Sequence, residues 1–161
     1  MIALTRIDGR LIHGQVTVGY TRRYSANFVI VANDDLAEST FQKNMLKMAA
    51  PAGTEIEIFS INETADIIKE DKFSDKTILL LVKSPIDLVS LIEKGCSFPE
   101  VNVGGVINDG ATIKMTKEVI ATIDELEAWK RLDDMGIEMQ LQWEVSKTPV
   151  NFNAVIRKTG K

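Results

Sequence analysis

Ile2-Ala3-Leu4-Thr5-Arg6-Ile7-Asp8-Gly9-Arg10-Leu11-Ile12-His13-Gly14-Gln15-Val16 carries the chain from a short apolar segment into a polar loop, and Val16 to Tyr24 then reads as a helix. Strand, loop and helix in that order open an α/β unit. The loop holds the only histidine of the chain, so chemistry that needs an imidazole is confined to it. His13 stands just ahead of the helix start. Unpaired backbone N–H groups and the positive end of the helix dipole gather there and favour an anion such as phosphate.

The alternation continues outward from that unit. Phe28 to Ala32 is a β-branched strand, and Leu36 to Ala49 carries Leu36, Phe41, Met45 and Met48 at helical spacing until Pro51 and Gly53 break the pattern. Glu55 to Phe59 alternates as a half-buried or edge strand does, and Ser60 with Glu63 forms a capping box that opens a helix from Ile61 to Lys72. Thr77 to Val82 is an unbroken apolar run suited to a central strand. Ser84 as N-cap and Pro85 at the first helical position start the next helix, which Gly95 stops. Beyond Val101-Asn-Val103 the pattern changes: Asn108-Asp-Gly110 is a turn signal among short strands at Val106-Ile107, Ala111 to Met115 and Val119 to Ala121. Thr122 with Glu125 is a second capping box, opening a helix that carries Leu126, Trp129 and Leu132 and ends at Gly136. Ile137 to Val145 reads as an exposed or antiparallel edge strand, and Val150 to Arg157 as a weak helix. The expected fold is α/β: a single domain over residues 1–161, three layers, a mostly parallel twisted sheet with helices on both faces, and antiparallel edge strands near the C-terminus. Ligands bind such sheets at the carboxyl ends of the strands, where the His13 loop, the Ser84-Pro85 turn and the Gly104-Gly105 turn are expected to meet.

Within the loop, the dipole and Arg10 disfavour a protonated imidazole, and a neutral His13 is the form able to act as a nucleophile. Arg10 offers a planar fork that matches phosphate oxygens, and Asp8 is close enough in sequence to hold it; a solvated ion pair is the plainer reading of the same two residues. Gly9 and Gly14 let the loop bend and a ligand approach the backbone.

Composition narrows the classes. The chain has 161 residues, 45% hydrophobic and 26% charged, with a net charge of −4, which suits a globular domain and argues against a general nucleic-acid binder. Arg6, Arg10, Arg22 and Arg23 cluster in sequence and read as a basic patch for an acidic partner face. A single Cys96 makes no internal disulfide and reads as a small buried filler; with no signal segment and no apolar run long enough to span a bilayer, a cytoplasmic location is expected. No Walker loop, dinucleotide fingerprint or cysteine–histidine cluster is present, so neither a cofactor nor a metal is implied.

The run Arg6-Ile-Asp-X-Arg10-Leu-Ile-His13-Gly-Gln15 resembles the phosphorylation loop of the enzyme IIB subunits of the mannose/fructose/sorbose class of the bacterial sugar phosphotransferase system. Val31-Ala-Asn-Asp-Asp35, Ala50-Pro-Ala-Gly53, Lys83-Ser-Pro85 and Val101-Asn-Val-Gly-Gly105 extend the likeness over nearly the whole chain. Many members carry an acidic residue where Gly9 stands. The resemblance implies a phosphocarrier in which His13 takes a phosphoryl group from a phosphohistidine of a IIA partner, at Nδ1, and passes it to a sugar translocated by the membrane subunits IIC and IID. It implies catalytic roles for His13, Arg10 and Asp8, and phosphate contacts from the amides of Gly14 and Gln15. Ser84 is first an N-cap and second a hydroxyl contact to the phosphate. Association with the inner face of the membrane would then run through those subunits, and Val31-Ala-Asn-Asp34 resembles members serving amino sugars such as N-acetylgalactosamine. Two further readings stand beside this one: a regulatory or phospho-ligand-binding module of the same fold with no covalent step, and a homodimer through the strand of Trp143, with an edge strand capped by the tail as the equal alternative to that dimer.

Overall fold

The computed structural model describes residues 1–160. Seven strands form one sheet in the order β10-β9-β5-β1-β4-β2-β3: β1 (Ile2–Ile7), β2 (Phe28–Ala32), β3 (Glu55–Phe59), β4 (Ile78–Val82), β5 (Glu100–Val103), β9 (Glu138–Leu141) and β10 (Val150–Asn151). Six are parallel, and only β10 runs against its neighbour β9. β2 and β4 are buried over all five residues each, as strands covered on both faces must be, which accounts for their unbroken apolar runs.

Helices α1 (Gly14–Arg23), α2 (Asp34–Glu38) and α3 (Thr40–Met48) lie on one face, where Val16, Tyr20, Val29, Val31, Ile56, Leu79 and Leu81 make the smaller core. Helices α4 (Ile61–Glu70), α5 (Pro85–Glu93), α6 (Ile123–Asp134) and α7 (Phe152–Lys158) cover the other, over a larger core that includes Ile30, Leu80, Leu88, Trp129, Met139 and Phe152. Coverage is unequal. Glu138 and Gln140 of β9 are exposed while Met139 and Leu141 are buried, so this end of the sheet carries helices on one face only. That is the physical origin of the alternation in Ile137 to Val145.

Three expectations change in detail. The strand within Ile137 to Val145 is β9; it is parallel to β5 and has β10 on its other side, so it offers no free edge, and the antiparallel edge is the two-residue β10. The helix expected from Leu36 to Ala49 is two, because Ser39 adopts an extended conformation and caps α3 through the amide of Gln42. The Asn108-Asp-Gly110 turn joins β6 (Val106–Ile107) to β7 (Ile113–Lys114), which do not pair; β8 (Val119–Ala121) lies between them in a separate three-stranded sheet.

The order of the main sheet places β1 between β4 and β5. α1 leaves β1 toward one face and α5 leaves β4 toward the other, so the chain diverges at the carboxyl ends of these neighbours and opens a crevice there.

Candidate functional site

At that crevice the three expected loops meet through backbone hydrogen bonds. Asp8 donates its amide to Val82 of β4 (2.9 Å), Gly104 donates to Ile7 (2.8 Å) and Gly9 donates to Gly105 (2.8 Å). Asp8 then folds its own loop: one carboxylate oxygen accepts from the amide of Arg10 (2.9 Å), and its carbonyl accepts from Leu11 (3.0 Å). The tight turn puts Leu11 at φ +57°, an uncommon conformation for a branched side chain, with the leucine packed into the smaller core as compensation.

Asp8 is 1% exposed and sits between two guanidinium groups. Arg10 meets it edge-on, with Nε on one oxygen (2.9 Å) and Nη2 on the other (2.7 Å), while Arg6 gives it Nη2 at 3.0 Å. A carboxylate so buried is no solvated partner, and its two positive neighbours keep it from being an uncompensated charge. Arg6 is 1% exposed, bonded also to Asn102 and to the carbonyls of Gln142 (2.8 Å) and Trp143 (2.9 Å), with its Cζ 4.4 Å above the ring of Tyr20. Burial draws the Arg6 guanidinium below its ordinary pKa, against the pull of Tyr20 and Asp8. The same burial pushes the Tyr20 hydroxyl upward. Gly104 is required here: a Cβ on it would collide with the Arg6 guanidinium and the Asp8 carboxylate.

The basic patch read from Arg6, Arg10, Arg22 and Arg23 therefore does not form. Arg6 lies inside, and Arg22 and Arg23 occupy the last turn of α1, a helix length away from His13.

His13 is exposed at the N-cap of α1, and its imidazole nitrogens have no hydrogen-bond partner among the described residues. Its backbone amide is held by the Thr17 hydroxyl (2.9 Å), and its carbonyl accepts from Val16 (2.9 Å) and Thr17 (3.3 Å). The amides of Gly14 and Gln15 bond to nothing among the described residues, and both residues, next to His13 in the chain, are exposed. Ser84 caps α5 by accepting from Ile86 (3.1 Å). The hollow beside Arg10 is walled by its neighbour Lys83, with Gly9, Leu11, Asn33, Asp35, Leu36, Gln42, Met45 and Leu46, so Ser84 stands at the crevice but outside that hollow.

Sequence reasoning missed two contributors. Trp143, read as serving either a dimer or an edge strand capped by the tail, follows β9 and lies under Arg10, its ring 3.9 Å from the guanidinium carbon. Asn108, read only as part of a turn, donates to the carbonyl of Lys83 (3.2 Å) and to the buried carboxylate of Glu125 (2.8 Å), and its side chain takes the space next to Gly9. A larger residue at position 9 would press on Asn108, which gives a steric reason for glycine there.

Residues 2–161 match the family model described as the PTS system sorbose subfamily IIB component. The chain belongs to that family. It is 31% identical to the fructose-specific EIIB component of Bacillus subtilis (strain 168), over 99% of this chain and 98% of that one. It is 32% identical to the mannose-specific EIIAB component of Escherichia coli (strain K12), over 92% of this chain but 46% of that longer protein. An N-acetylgalactosamine-specific IIB component of the same organism is 33% identical, over 88% of this chain and 89% of its own length. Among solved structures, the IIB domain of the sorbose permease from Klebsiella pneumoniae superposes with a TM-score of 0.90 at 29% identity, covering 99% of this chain and 98% of that one. This IIB component is thus a phosphotransferase component of a sugar transport system, and no helix among its described residues is long and apolar enough to cross a membrane.

Proposed function

We propose that this IIB component carries a phosphoryl group on His13, received from a phosphohistidine of a IIA partner and delivered to a sugar brought in by membrane subunits IIC and IID. The single supporting observation is the placement of the only imidazole: exposed, without a hydrogen-bond partner among the described residues, and at the start of a helix whose first amides, those of Gly14 and Gln15, are free. A ring nitrogen of His13, Nδ1 by analogy with the family, attacks phosphorus in line. The new N–P bond forms as the donor imidazole's N–P bond breaks, and the far nitrogen of each ring keeps its proton. In the loose transition state charge spreads over three equatorial oxygens. The amides of Gly14 and Gln15 and the third nitrogen of Arg10 are the donors without a protein partner, and they are assigned to meet it. Asp8 acts through Arg10, and Ser84 can donate its hydroxyl proton while its oxygen caps α5.

His13 is exposed at the surface, which suits a carrier that must face a donor protein and an acceptor complex in turn. Relatives named for fructose, mannose and N-acetylgalactosamine are about equally similar to this chain, so the choice of sugar is assigned to the membrane subunits.

The test is intact mass after incubation with phosphoenolpyruvate, the general phosphotransfer proteins and IIA. The wild-type chain is expected to gain one acid-labile phosphoryl group and His13→Ala none. Arg10→Lys should slow uptake by on the order of tenfold, since a point charge cannot bond Asp8 edge-on and still offer a third nitrogen. Undiminished labelling of His13→Ala would refute His13 as the carrier, and a wild-type chain that binds IIA without gaining mass would leave the regulatory module as the correct reading.

A further inference from the structure

Asp8 alone does not fix Arg10. A carboxylate that holds Nε and Nη2 sets one edge of the guanidinium but leaves its plane free to tilt about that edge. The plane is set by Trp143, whose ring lies against it at 3.9 Å and whose carbonyl lies 3.4 Å from Nη2. Trp143 is in turn pinned twice. Its carbonyl accepts from the buried Arg6 guanidinium, and its ring occupies space that only a glycine at position 105 leaves open, since a Cβ there would come within 2.6 Å of Cζ3. The consequence appears at the third nitrogen. Nη1 of Arg10 is buried and has no hydrogen-bond partner, one of two such side-chain atoms among the described residues. An unmade bond of that kind opposes folding and calls for a reason.

We propose that Trp143 is a positioning residue for phosphoryl transfer: it holds the Arg10 guanidinium by its face, so that Nη1 stays uncommitted for the oxygens of the migrating group. The chemistry favours an aromatic ring over any other neighbour. A ring face attracts a cation through its quadrupole and consumes no N–H donor. A second carboxylate in that place would bind Nη1 and compete with phosphate; an aliphatic side chain would fill the space and attract nothing. This inference rests on Arg10 being a phosphate ligand, as proposed above.

The test is single-turnover transfer from phosphorylated IIA to this protein carrying Trp143→Leu or Trp143→Phe. Trp143→Leu is expected to slow the transfer step by roughly threefold to thirtyfold, the rate equivalent of a partly desolvated cation–π contact, with half-saturation by IIA unchanged. Trp143→Phe should recover most of the rate. In an Arg10→Ala background Trp143→Leu should cause no further slowing, because the two residues act as one unit. A leucine variant as fast as wild type, or one that slows transfer equally with and without Arg10, overturns the proposal. Should the leucine chain fail to fold, Tyr and Phe at this position must grade the rate in that descending order below Trp, and equal rates for all three overturn it as well. A wild-type chain that gains no phosphoryl group defeats the underlying reading, and this inference with it, before any variant is compared.

Discussion

Six of the seven helices among the described residues begin on a side chain that accepts a hydrogen bond from their own first turn: Asn33, Ser39, Ser60, Ser84, Thr122 and Asn151. α1 begins on His13, which makes no such bond and is followed by no acid in the first turn. The chain therefore satisfies helix starts wherever stability alone is at stake and leaves one open. An absent cap costs about 1 kcal/mol, a sizeable fraction of the stability of a domain this size. In exchange, two amides and the dipole end remain available to a ligand.

The largest effect that tests this contrast comes from closing the open end. His13→Asp places a good cap on a residue whose backbone is already outside the helix, and it should raise unfolding stability by about 1 kcal/mol while abolishing phosphoryl uptake. Stability is read from urea unfolding and uptake from intact mass. If the aspartate variant is no more stable than His13→Ala, α1 is held by something other than its start, and the contrast fails.

The next effect compares two capping boxes of identical sequence logic. Ser60 with Glu63 lies in solvent, whereas Glu125 is 2% exposed and uses its second oxygen to hold Asn108 against Lys83. Glu63→Ala should cost about 0.5 kcal/mol. Glu125→Ala should cost about 2 kcal/mol more, because it empties a buried position and takes from the half-buried Asn108 amide one of its two acceptors. Equal costs would mean that Asn108 finds water in place of the carboxylate.

These boxes also mark what could be read from sequence. Local rules located nearly every element, because a cap, a run of β-branched residues or a terminal glycine acts within a few residues of itself. The His13 loop was legible for the same reason, its histidine, arginine and aspartate lying within six positions. What escaped was contact between distant segments. Trp143 reaches Arg10 across 133 positions, and nothing near either residue announces the meeting. Arg6 was read as surface charge, because arginine is rarely buried; only the pairing of β1 with β5 reveals Asn102, and only the turn after β9 supplies the carbonyls of Gln142 and Trp143. Gly104 and Gly105 read from sequence only as a turn at the crevice, but the side chains that forbid a Cβ there come from segments far away in the chain.

A pH-dependent effect concerns the start of α5, which is capped by Ser84 and carries an acid in its first turn, the opposite of α1. A helix N-terminus stabilises a carboxylate by 0.3–1 kcal/mol, so Asp87 ought to titrate low. Instead its pKa is pushed up from 3.8 to about 6, by burial first and by the charge of Asp34 second. Burial wins because desolvation of a charged group outweighs a dipole that solvent partly screens. With its pKa raised in the folded chain, Asp87 holds its proton more tightly folded than unfolded. Its contribution is favourable below about pH 4 and is lost as pH rises through about 6. Asp87→Asn, which stays neutral throughout, should thus match wild type near pH 4 and exceed it by up to about 3 kcal/mol above pH 7. Urea midpoints measured across that range decide the matter: parallel curves for the two chains would mean that the dipole offsets burial, and a wild-type chain that gains on the asparagine variant as pH rises would mean that the dipole governs this helix start.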